Sequence, residues 1–144
     1  MLPPSTGIGT MTFDDLALGQ SASFSKTITE ADILLFCAVS GDTNPVHIDA
    51  EAAKASMFGE RIAHGMLSAS LISTVLGTRL PGPGTIYLSQ TLKFKAPVKI
   101  GQTVTATAEV TALDPARKRA TLATRCTVEG KVVLEGEAGV MLPG

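Results

Sequence analysis

Apolar and polar positions alternate through most of the second half of the chain. Val104, Ala106, Ala108, Val110 and Ala112 interleave with Thr103, Thr105, Thr107, Glu109 and Thr111, which predicts a strand with one buried face. After a turn at Asp114-Pro115 the alternation resumes from Arg119 to Val128. Glu129-Gly130 marks a hairpin, and Val132, Leu134, Ala138 and Val140 supply the inner face of the last strand. Leu88, Gln90, Leu92 and Phe94 alternate with Tyr87, Ser89, Thr91 and Lys93, and a first strand is predicted over Ala22 to Ile28. One-sided strands of this kind belong to an antiparallel sheet solvated on one face.

The first half is helical. Thr29 caps a helix with acidic residues in its first turn, and its face of Ile33, Phe36 and Cys37 runs on to Gly41. Phe13 to Leu16 predicts a single turn, Asp42 to Ile48 a loop, and Asp49 the cap of a short helix through Lys54. The longest helix is predicted from His64-Gly65 to about Thr78, stopped by Pro81-Gly82-Pro83-Gly84. It is apolar on most sides and has to be buried, so the simplest architecture wraps the sheet around it in an α+β fold. No linker or repeat divides residues 1–144, which read as one domain with residues 1–12 as a loosely held arm.

Composition narrows the function classes. Twelve basic against thirteen acidic residues give a net charge of -1, no basis for general attraction to nucleic acid. No apolar run approaches the roughly 18 residues that span a bilayer, and the N-terminus does not read as a secretory signal. Two cysteines, Cys37 and Cys126, fit buried free thiols, and the expected location is cytoplasmic.

Chemistry concentrates in two segments. Asp42 and His47 flank Asn44-Pro45, where proline stiffens the backbone and asparagine ties it to itself. A carboxylate and an imidazole held this way can share a water and move its protons. The alternative is a helix-ending aspartate and an ordinary loop histidine. The segment resembles the start of an EF-hand loop, but Val46 and His47 occupy its fifth and sixth positions, where a further ligand and glycine belong. No metal is expected. His64-Gly65 places free N–H groups and the positive end of a helix dipole together, so the Gly65 N–H can polarise a carbonyl, although Gly65 can also serve packing alone. His64 reads as a capping or turn-stabilising residue. Gly65, Ala69, Ser73 and Gly77 form a small-residue stripe that suits either close packing or a groove for an acyl chain. Lys93, Lys95 and Lys99 are either a solvated face or a grip on nucleotide phosphates.

The motif D-x-N-P-x-H at Asp42, Asn44, Pro45 and His47, followed by His64-Gly65-Met66-Leu67, resembles the (R)-specific enoyl-CoA hydratases of the MaoC type. The likeness runs from about Phe13 to Leu142, through Pro81-Gly82, Tyr87-Leu88, Leu92-Lys93-Phe94 and Pro97-Val98. It implies a hot-dog fold, a sheet wrapped around a central helix, and a homodimer with the active site at its interface. It places the catalytic pair on Asp42 and His47, the carbonyl-binding N–H on Gly65 and supporting roles on Asn44 and Ser73. The substrate implied is a trans-2-enoyl-CoA, hydrated reversibly and with syn geometry to an (R)-3-hydroxyacyl-CoA, with no cofactor. The length is closest to bacterial members that supply polyhydroxyalkanoate synthesis. Val75, Leu76 and Val140 are candidates for the acyl pocket. A thioesterase and a non-catalytic acyl-binding subunit are the competing expectations, because hot-dog folds host both.

Overall fold

The computed structural model describes residues 11–143. The expected arm, residues 1–12, lies almost wholly outside that range. The helices are α1 (Glu30–Ser40), α2 (Pro45–Ile48), α3 (Ala50–Lys54) and α4 (Gly65–Thr78). The strands are β1 (Ser21–Thr27), β2 (Ile86–Gln90), β3 (Lys93–Phe94), β4 (Thr103–Asp114), β5 (Arg119–Val128) and β6 (Lys131–Met141). A short 3-10 turn at Phe13–Asp15 precedes them.

The sheet is antiparallel in the order β1-β4-β5-β6-β2, with β3 also paired to β6. Its inner face packs on α4, which touches β1, β4 and β5. Val104, Ala106, Ala108 and Val110 of β4 and Ala120, Leu122 and Cys126 of β5 close around Ile72, Val75 and Leu76 of α4 in one apolar cluster. Small alanines at the centre of β4 let the helix lie close to the sheet. This is the expected α+β arrangement of a sheet wrapped around a long helix.

Four local expectations need correction, each for a backbone reason. The predicted strand from Tyr87 to Phe94 is two strands, because the chain at Thr91 crosses β6 at Gly136. A Cβ on Gly136 would lie 1.7 Å from the Thr91 carbonyl oxygen, so only glycine admits the crossing. Ala112 is exposed rather than inward, because a register shift between Val110 and Ala112 interrupts the alternation and leaves Leu113 half-buried instead. A second shift at Cys126/Thr127 buries both Val133 and Leu134 while Val132 stays half-exposed. Finally, Asp42 to Ile48 is not all loop: the turn after Asn44 is α2.

Local chemistry explains the helix ends. The Thr29 hydroxyl accepts the Asp32 N–H at 3.2 Å, and the Asp32 carboxylate accepts the Thr29 N–H at 2.8 Å, a reciprocal capping box. Gly41 closes α1 by donating its N–H to the Cys37 carbonyl at 2.8 Å. Asn44 caps α2 through its side-chain oxygen, 3.2 Å from the Val46 N–H, and Pro45 takes the first helical position. Asp49 caps α3 by accepting from Glu51 and Ala52.

Candidate active site

The exit of α1 and the entrance of α4 meet at one corner of the molecule. Asp42 follows the Gly41 cap directly, with its own N–H bonded to the Ser40 hydroxyl at 3.1 Å. One carboxylate oxygen accepts the Asn44 N–H at 3.2 Å, so the aspartate and the α2 cap brace each other. His47, on α2, is buried. Its Nδ1–H donates to the Ile62 carbonyl at 2.8 Å. A carbonyl only accepts, so in the neutral ring Nε2 carries the free lone pair.

The segment leading into α4 is fixed from both sides. Arg61 donates to the His47 carbonyl at 2.7 Å and pairs with Glu30 at 2.8 Å, tying α1 to α2. The Ala63 N–H donates to the Val98 carbonyl at 2.7 Å. His64 is the N-cap residue of α4, yet its side chain makes no cap hydrogen bond. The expected capping role is therefore not what the ring performs. Instead its Nε2–H donates to the Asp42 carbonyl at 2.9 Å, and its ring stacks on His47 with centroids 3.8 Å apart and planes 24° apart. The donor atoms of Asp42, His47 and His64 lie within 4.8 Å of one another. A single water hydrogen-bonded to two such groups fits that span.

The same three residues invite comparison with a metal centre. The nitrogen that each histidine commits to a backbone carbonyl leaves its other ring nitrogen free, as a bound water and a metal ion alike require.

These residues open onto a cavity of about 580 Å³. Met57 and Phe58 form one side, Phe94 to Val98 another, and Gly65, Met66 and Ser68 the helix side. At the start of α4 the Leu67 and Ser68 N–H groups both turn to the His64 carbonyl, while no protein acceptor meets the Gly65 N–H among the described residues. An added Cβ on Gly65 would lie 2.6 Å from the Phe94 ring, so glycine lets that ring close against the helix start. The result is an apolar cavity with a carboxylate, an imidazole and a free amide N–H on its walls. Such a set can activate water and stabilise negative charge on an oxygen.

Of the other expected site residues, all but Lys95 fall elsewhere. Val75, Leu76 and Val140 are buried in the core and line no part of this cavity. Ser73 lies on the exposed face of α4, as do Gly65 and Gly77 of the small-residue stripe, while Ala69 is buried. Of the lysines, Lys95 borders the cavity and pairs with Glu135 at 2.9 Å. Lys99 pairs with Glu60 at 3.2 Å, and Lys93 is exposed on β3. Met57, Phe58, Ala96 and Val133 are walls that the sequence pattern does not reveal. No periodicity marks them, since they come from a loop, an irregular segment and a bulge.

Residues 15–132 match the family model described as the MaoC like domain, and the chain belongs to that family. It is 63% identical over 131 residues to an (R)-specific enoyl-CoA hydratase of Rhodospirillum rubrum, covering 91% of each chain. The (R)-specific enoyl-CoA hydratase of Aeromonas caviae is 48% identical over 134 residues, 92% of this chain and all of that one. Among solved structures, an unliganded R-hydratase of Pseudomonas aeruginosa superposes with a TM-score of 0.88 at 50% identity, over 93% of this chain and 86% of that one. The (R)-hydratase of A. caviae, described as involved in PHA biosynthesis, gives 0.86 at 48% identity, over 89% and 98%.

Proposed function

We propose that the protein is an (R)-specific enoyl-CoA hydratase, acting as a single domain. It adds water reversibly, with syn geometry, across the double bond of a trans-2-enoyl-CoA to give the (R)-3-hydroxyacyl-CoA. One observation carries the reading: Asp42, His47 and Gly65, whose N–H has no acceptor among the described residues, line one apolar cavity.

Asp42 and His47 hold the attacking water. As its oxygen bonds to C3, one water proton passes to the pair, for which the free Nε2 of His47 and the Asp42 carboxylate are the acceptors. Electrons of the double bond move towards the thioester oxygen, where the Gly65 N–H and the α4 dipole meet the developing charge. The pair then returns a proton to C2. The two groups share one proton inventory and act as a unit. Asn44 supports them by capping α2 and bonding Asp42. Lys95, which borders the cavity, would meet the CoA phosphates, with Lys93 and Lys99 on either side of it along the chain.

The working form in this reading is a homodimer. Edge strand β2 exposes Ile86, Tyr87 and Leu88, an apolar edge with unpaired backbone that a second copy would cover. The exposed small-residue face of α4, including Ser73, lies open to a partner as well. Supply of (R)-3-hydroxyacyl units for polyhydroxyalkanoate synthesis and a cytoplasmic location complete the proposal, the latter in keeping with two free buried thiols and a CoA thioester substrate.

Incubation with crotonyl-CoA tests the chemistry directly. Hydration removes the enoyl absorbance without releasing free thiol, and a saturated acyl-CoA stays intact. Thiol release with the enoyl absorbance retained would instead make the protein a thioesterase. An inert purified protein would point to a non-catalytic acyl-binding subunit.

A further inference from the structure

We propose that His64 is a positioning residue for hydration, holding Asp42, His47 and the Gly65 N–H in one geometry. The proposal rests on the assignment of those three groups above. The His64 side chain contacts the first two, and the third belongs to the next residue in the chain. Its Nε2–H pins the backbone carbonyl of Asp42 at 2.9 Å, its ring lies 3.8 Å from the His47 ring, and its own peptide bond leads to the Gly65 nitrogen.

The ring is itself held from behind. The Phe36 ring stands 4.8 Å away and tilted, and Cys37 Sγ lies 3.5 Å from Nε2, both from α1. His64 is only 2% exposed, so it cannot swing out of this arrangement. An aliphatic side chain could fill the same space but would neither pin the Asp42 carbonyl nor set the rotation of the His47 ring.

A packing role alone does not account for an imidazole here. Its Nδ1 is buried without a hydrogen-bond partner, which disfavours the folded state. The hydroxyl of Ser68, one turn further along α4 and on the same cavity wall, is equally buried and unpaired. Both residues line the cavity, so polar atoms without a protein partner stand beside the groups that would meet a substrate.

Two variants separate the two contacts. His64→Phe keeps a stacking ring and loses the donor; His64→Gln keeps a donor and loses the ring. Each should lower kcat on crotonyl-CoA by about tenfold or more, as small misplacements of reacting groups do, while KM stays within about threefold. Circular dichroism and thermal melting check that both are folded, and Gln serves if Phe is not. In an Asp42→Asn background, where no working pair is left to position, either substitution should change the residual rate by less than about threefold. A kcat within about threefold of the parent for both variants would overturn the proposal. So would an equal fractional loss with and without Asp42, which is the mark of a general structural defect. Near-parental turnover by Asp42→Asn alone would remove the catalytic pair, and this proposal with it. Full loss there with unaffected His64 variants removes only the role given to His64.

Discussion

The β1–β4 half of the sheet and the corner where α1 meets α4 treat polar groups in opposite ways. On the outer face of the sheet Ser23 meets Thr107 at 2.8 Å, Ser25 meets Thr105 at 2.7 Å and Thr27 meets Thr103 at 2.7 Å. These hydroxyls are exposed and paired, although water alone would satisfy them. At the corner, His64 Nδ1 and Ser68 Oγ are buried and unpaired, two imidazoles are stacked, and a helix starts without a side-chain cap. Satisfaction where it is easy and deprivation where it is costly mean that the two regions serve different ends. In the proposed reading the sheet supplies stability and the corner holds the reacting groups.

If that division is right, the largest functional losses come from the corner with the fold intact. Asp42→Asn and His47→Gln should each lower kcat on crotonyl-CoA by about 10²–10⁴-fold, the range of general acid–base assistance. Their melting temperatures should stay close to the parent's. Retained turnover in either variant would break the comparison at its catalytic end.

The converse holds for the sheet. Leu122 is fully buried on β5, facing α4. Leu122→Ala should cost about 2–5 kcal/mol of stability in urea unfolding, with kcat at 25 °C nearly unchanged as long as the protein is folded. A large fall in kcat for a well-folded Leu122→Ala protein would show that sheet and corner are not separable.

Gly65 stands between the two regions, because it both starts the core helix and carries the free N–H. Gly65→Val should lower turnover by about 10²-fold through the clash with Phe94, whose ring an added Cβ would meet at 2.6 Å. Gly65→Val combined with Phe94→Ala removes that clash. Recovery of most of the lost rate would locate the defect in the ring, while no recovery would locate it in access of the thioester oxygen to the N–H.

The same division decides what could be read from the chain. Val104, Ala106, Ala108 and Val110 declare themselves because alternation is local and the buried face has to be apolar. The capping box at Thr29 and Asp32 is equally local. Asp42 and His47 were legible because both lie within one stiffened segment. His64 was not, since its stack joins residues seventeen positions apart and nothing in its neighbourhood announces a ring partner. The split between β2 and β3 was missed because it depends on Gly136 in another strand. Val75, Leu76 and Val140 are apolar enough for a pocket or a core, and periodicity does not tell which side of a packed layer opens to a cavity.

The smallest effect expected is also one that links the two regions. Helix α1 delivers Asp42 to the corner, and its first turn is fixed by Asp32. Burial opposes the charge on Asp32, but the Lys26 ammonium at 2.9 Å and hydrogen bonds from Thr29 outweigh it, so its carboxyl lies below the usual aspartate range. A folded-state pKa below the unfolded value favours the folded protein above the unfolded pKa of about 4. That contribution fades as pH falls through the folded value. Because Lys26 is well exposed, the ion pair is screened and its share is small. Asp32→Asn should therefore destabilise the protein slightly at pH 7 by urea titration, and the gap from the parent should shrink at pH 3. A gap of equal size at both values would mean that Asp32 acts through its hydrogen bonds alone. The cap would then count as neutral geometry, and its charge would add nothing to the way α1 holds Asp42.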